Sequence, residues 1–142
     1  MTRTGIEGIN ETIEKTHVWL NEIAEELGAP GDKHYAYGAL TAVLPAIRDH
    51  LNPDEAAHLS AQLPVLVRGL FFDGWDPSKT PVRERTREAF LERVAERAAP
   101  DVADRPEPCV RAVAKVLAKH ISAGELKDVM GMLPEPVRDL LA

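Results

Sequence analysis

The chain has 142 residues, 44% of them hydrophobic and 28% charged, a composition that fits one domain able to bury roughly two-thirds of its unfolded surface without staples. Its net charge of -6 is uneven: residues 1–75 carry five Lys or Arg against eleven Asp or Glu, and residues 76–142 carry twelve of each, so neither half attracts a phosphate backbone. A single Cys109, no secretory signal and no apolar run of membrane-spanning length predict a cytoplasmic protein with neither a nucleic-acid nor a membrane partner.

The first segment spaces Ile6, Ile9, Ile13, Leu20, Ile23 and Leu27 as the stripe of an amphipathic helix, and Gly28 and Pro30 stop it. Asp32 caps a second helix whose apolar face runs Tyr35, Ala39, Leu40, Val43, Leu44, Ile47 and Leu51. Pro45 inside it predicts a kink or a split. Asn52-Pro53-Asp54-Glu55 is a cap, a proline at the first helical position and a glutamate able to reach back to the cap. That helix runs into Leu63-Pro64, where a short one restarts and reaches about Phe72. The turn-rich stretch Asp73 to Pro81 follows, and Thr80-Pro81 predicts the start of a helix to about Ala98 that buries Val82, Ala89, Phe90 and Val94. Its surface interleaves Arg83, Arg85, Arg87, Arg93 and Arg97 with Glu84, Glu88, Glu92 and Glu96, pairing residues three apart such as Glu84 with Arg87 and Arg93 with Glu96. Ala99 to Pro108 reads as a loop and Cys109 to Ile121 as a helix. Ser122-Ala123-Gly124-Glu125 is a second capped start, and Leu133-Pro134 opens a last short helix to Leu141. No alternating strand pattern occurs, so the fold class is all-α.

The chain also repeats itself at an offset of about 70 residues. Ala42, Val43, His50, Glu55, Leu63, Pro64, Val67, Arg68 and Leu70 meet identical residues at Ala112, Val113, His120, Glu125, Leu133, Pro134, Val137, Arg138 and Leu140. At an offset of 71, Leu20, Glu22, Ile23, Ala24 and Glu25 meet Leu91, Arg93, Val94, Ala95 and Glu96. These matches predict one domain over residues 1–142, built of two pseudo-symmetric units of three or four helices at about 5–75 and 79–142. Leu59, Leu63, Val67, Leu70, Val129, Leu133, Val137 and Leu140 are its expected shared core, with Trp75 mostly buried.

The run from Ala61 to Pro77, AQLPVLVRGLFFDGWDP, resembles the signature of a bacterial family known as domain of unknown function 2267. Its members carry a similar pattern after an acidic capped helix. The resemblance extends over about Ile6 to Leu141 and implies a helical domain of this length. It brings no catalytic or binding residues with it.

Candidate chemistry concentrates in that segment. Arg68, Phe71, Phe72, Asp73, Trp75 and Asp76 together make either a recognition patch of apolar anchors and charges or a structural connector whose carboxylates close turns. Arg68 and Arg138, equivalent in the repeat, either clamp an anion between the units or bind carbonyls of their own helices. His17, His34, His50, His58 and His120 show no metal-ligand spacing, and no metal or other cofactor is expected. His50 and His120 each end a helix, where a partial positive charge suits the C-terminus. Cys109 sits at a helix start, which can lower a thiol pKa, yet a lone cysteine also serves as core packing. With no catalytic constellation legible, the sequence points to a non-enzymatic cytoplasmic interaction module that binds another protein or itself. Its alternative is a small-molecule or anion-binding protein with the site between the two units.

Overall fold

The computed structural model describes residues 4–142, and among them all regular structure is helical. Helix α1 (Glu7–Glu26) ends where Gly28, at φ +73°, turns into the left-handed region. The amides of Gly28 and Ala29 then donate back to the carbonyls of Glu25 and Ala24. Helix α2 (Lys33–Asp49) starts under the Asp32 carboxylate, which accepts from the Tyr35 amide at 3.0 Å. It runs unbroken through Pro45, so of the kink or split expected there the split does not occur. Every residue from Ala42 to Leu51 is buried, and packing on α1 and on the helices described below offsets the hydrogen bond that Pro45 withholds.

Helix α3 (Pro53–Ser60) takes Asn52 as its cap, whose side chain accepts from the Glu55 amide at 2.8 Å. Glu55 does not return the bond; its carboxylate is buried. Helix α4 (Val65–Phe72) restarts after Pro64 as expected. A 3-10 turn (Pro77–Lys79) follows, and then the sequence expectation fails: residues 80–86 are not helical, and α5 (Arg87–Glu96) begins only under the Thr86 cap. The Val82 amide, which the Thr80 side chain would cap at a helix start, donates instead to the Asp49 carbonyl at the end of α2, 2.8 Å away, and the Thr80 hydroxyl bonds the Pro77 carbonyl. The stretch expected as a loop contains α6 (Pro100–Ala103), and α7 (Pro106–His120) starts three residues before Cys109 because Pro106 suits the first helical turn. Helices α8 (Ala123–Met132), capped by Ser122, and α9 (Glu135–Leu141) complete the chain.

Helices α2 and α7 pack on each other at the centre. Helix α1 lies against α2, α4 and α7, while α5 lies against α2, α7 and α9, and α3 packs on α8. Leu59, Leu63, Val67, Val129, Leu133, Val137 and Leu140 are buried in the core; Leu70 and Trp75 are partly buried against it. The centre also holds Trp19, Ala36, Ala39 and Leu44, small and large side chains that let the helices approach. No described helix is long and apolar enough to cross a membrane.

Candidate functional site

The signature segment is wired into the interior by a residue that the sequence pattern hides. Arg48, on the last turn of α2, is 1% exposed. Its Nη1 donates to the carbonyls of Phe71 (3.0 Å) and Asp73 (2.8 Å), and its Nε and Nη2 donate to the Asp49 carboxylate at 2.9 and 2.7 Å. Asp49 in turn accepts from Arg93 at 3.1 Å, and Arg93 also holds Glu84. The neighbours Glu84–Arg87 and Arg93–Glu96, expected as helix-surface pairs, give way to Glu84–Arg93 and Arg87–Glu107, because residue 84 lies outside α5.

Phe71 is fully buried, edge-on to Phe72, whose ring meets Trp75 at 4.8 Å. Asp73 is exposed and contributes its carbonyl to Arg48. The Asp76 carboxylate accepts from the amide and hydroxyl of Ser78, which lower its pKa and close the 3-10 turn. Within this segment Phe71 faces the core, Phe72 and Trp75 are half-buried, and the Asp76 carboxylate is taken up by a turn.

Arg68 likewise spends its fork within the fold. Its Nε donates to the Ser60 carbonyl at 2.9 Å and its Nη2 to the Leu63 carbonyl at 3.2 Å, tying the end of α3 to the start of α4. Arg138 lies on α9, half-buried. The cleft described next is lined by neither arginine.

That cleft, of about 410 Å³, lies where α1, the α3–α4 joint and the end of α7 meet. Lys15, Val18 and Trp19 come from α1, Ala61, Gln62, Leu63 and Pro64 from the joint, and His120 from α7. Trp19 stacks on His120, with ring centroids 4.9 Å apart and planes 19° apart. His120 and Lys119 both bond Glu22; burial opposes ionisation of that carboxyl, but the two partners hold its pKa below the ordinary value. Gln62 fixes the opposite wall, accepting from the Ser122 amide at 2.7 Å and donating to its hydroxyl at 3.2 Å. Val18, 48% exposed, stands at the rim, and Val65, 65% exposed, directly follows Pro64. The cleft is thus mainly apolar, with a few placed polar groups, the make-up of a binding site. Sequence reasoning did not assemble it. The signal was present in the AQLP run, which turns out to be one wall.

Two expectations about single groups are corrected. His50 is no cation at a helix end: its Nδ1–H donates to the Ala46 carbonyl at 2.9 Å, and burial lowers its pKa, leaving the ring neutral. The Cys109 pKa is raised rather than lowered, chiefly by burial, and its Sγ meets the Tyr35 hydroxyl at 3.6 Å. Among the described residues, no group of three His, Cys, Asp or Glu side chains is placed to hold a metal ion.

The chain finds no significant match among curated proteins. The model of a family described as an uncharacterized conserved protein, domain of unknown function 2267, matches residues 16–140, and the chain belongs to that family.

Proposed function

We propose that the protein is a non-enzymatic interaction module of two related units, working in the cytoplasm, that seats an apolar side chain of a partner protein in the cleft at their seam. The cleft carries this reading. It is concave and mainly apolar, Val18 stands exposed at its rim, and its walls come from both ends of the chain.

The two-unit reading is supported by the pattern of packing. Offsets of 70 or 71 residues carry α1 onto α5, α2 onto α7, α3 onto α8 and α4 onto α9. Under that exchange the α1–α7 contact becomes α5–α2, α1–α2 becomes α5–α7, α1–α4 becomes α5–α9, and α2–α4 becomes α7–α9. The α2–α7 and α3–α8 contacts map onto themselves, as across a two-fold axis. The side chains follow. Trp19 on His120 corresponds to Phe90 on His50, whose ring centroids are 5.4 Å apart. The Glu22–Lys119 ion pair corresponds to Arg93–Asp49 with the charges reversed. A smaller cavity of about 260 Å³ contains His50, Met132 and Pro134, the counterparts of His120, Gln62 and Pro64. There Asn52 and Met132 stand where Ser122 and Gln62 pair, and the irregular stretch with Pro81, Val82 and Glu84 stands where α1 lines the larger cleft. The partner site therefore belongs to one side only.

A second reading places a small molecule in the same cleft, favoured by the stacked Trp19 and His120 rings and by Lys15. An anion clamp by Arg68 and Arg138 has less support, because Arg68 already binds two carbonyls. Native mass spectrometry of gently purified protein separates the readings. The interaction module gives a complex with a protein or a second copy, lost in Val18→Asp. A bound small molecule, lost in Lys15→Ala, would displace it in favour of the second reading.

A further inference from the structure

We propose that Glu55 and Glu125 form a proton-operated clasp, a carboxyl–carboxylate pair that holds α3 on α8 while it shares one proton and loosens when both groups ionise. The inference is independent of what the cleft binds.

Each glutamate is the third residue of its helix, with its amide held by the cap, Asn52 in α3 and Ser122 in α8. The two helices pack on each other, and the glutamates are only 5% and 8% exposed. One oxygen of each, Oε2, is buried and receives no hydrogen bond. Two ionised carboxylates side by side in such a place would repel and leave both oxygens unsatisfied. One proton turns one group into a donor and the other into its acceptor, and both oxygens are then satisfied. The remaining negative charge sits in the first turn of two helices, where the backbone dipoles favour it.

Among the surrounding groups only His58 offers an alternative counter-charge, and it does so from solvent. On α3 the nearest ionisable neighbour is His58, its Nδ1 4.0 Å from Glu55 Oε2 and its side chain 70% exposed. On α8 it is Asp128, whose charge adds to the repulsion. Asn52, Ser122 and Gln62, the other polar groups at the joint, are neutral. Consistent with this cluster, burial and then the neighbouring Glu55 push the Glu125 pKa up from 4.5 to about 7. A carboxyl whose folded pKa is raised stabilises the fold fully below its unfolded value and loses that contribution as pH rises through the folded one. The clasp therefore closes toward pH 5 and opens toward pH 8, two conditions on either side of about 7.

The test compares urea unfolding of the intact chain with Glu125→Gln at those two pH values, alongside a carboxyl-carbon NMR titration. The amide of glutamine donates permanently, so the variant imitates the protonated pair. Relative to Glu125→Gln, the wild-type unfolding constant is expected to rise roughly fiftyfold or more between pH 5 and pH 8, because about two pH units of that interval lie between the unfolded value of 4.5 and the folded value of about 7. The Glu125 carboxyl is expected to titrate near neutrality. Glu55→Gln must behave as Glu125→Gln does, which guards against a variant that misfolds for another reason. Equal pH dependence in wild type and both variants, with Glu125 titrating at its ordinary value, would overturn the proposal. So would stabilisation by added calcium or manganese at high pH that is lost in Glu125→Gln, which would make the pair a cation site.

Discussion

Trp19 lies nearly flat on His120, a residue about one hundred positions later in the chain, and this contact pins the end of α7 onto α1. Both rings line the cleft, so the packing of α7 on α1 also shapes it. Phe90 and His50 make a second aromatic–histidine contact, at a tilt of 54°.

Arg48 is expected to be the costliest charged residue to remove. Arg48→Met leaves Asp49 without its closest partner and the carbonyls of Phe71 and Asp73 without a donor. Removing one member of a buried ion pair costs about 3 kcal/mol or more, and the urea midpoint should fall accordingly. A loss within experimental error would show that the signature segment is held by its aromatic packing alone.

How much of this was legible in the sequence depended on how local the cause is. Asn52 and Ser122 announce their helices because a cap acts within three residues, and both caps stand in the structure. The late start of α5 was not legible: Thr80-Pro81 has the local grammar of a helix start, but Asp49 in α2 captures the Val82 amide. Arg48 escaped for the same reason, its acceptors lying 23 and 25 residues away. Glu55 looked like half of a capping box, and only the packing of α3 on α8 shows that it faces Glu125 instead. The cleft is the extreme case, since its walls come from three separate stretches of chain.

His50 gives stability a second pH dependence, opposite in sign to that of Glu125. Burial, reinforced by Arg93 and opposed by the Ala46 hydrogen bond, puts its folded pKa below the ordinary 6.5. Its contribution is therefore present above 6.5 and lost as pH falls through the folded value. His50→Leu should narrow the stability gap to wild type on acidification below 6.5, as read from urea midpoints. A constant gap would mean that the ring is not held neutral.

Cys109 should be inert in the folded protein. Its thiol is buried and its pKa raised, so little thiolate is available to an electrophile at neutral pH. Iodoacetamide is expected to leave the native chain unmodified over hours and to alkylate it within minutes in denaturant. Rapid labelling of the native protein would show that α7 opens locally at its first turn.

The most direct test of the binding cleft is site-specific photo-crosslinking in the protein's own cells, with the reactive group in place of Val18 at the rim. A control carries it in place of the exposed Lys127 on α8. The account expects a discrete adduct of one partner from position 18, absent from position 127 and lost when Pro64→Asp alters the facing wall. Equal adducts from both positions, or none from position 18 while the protein is folded and abundant, would contradict a binding role for the cleft.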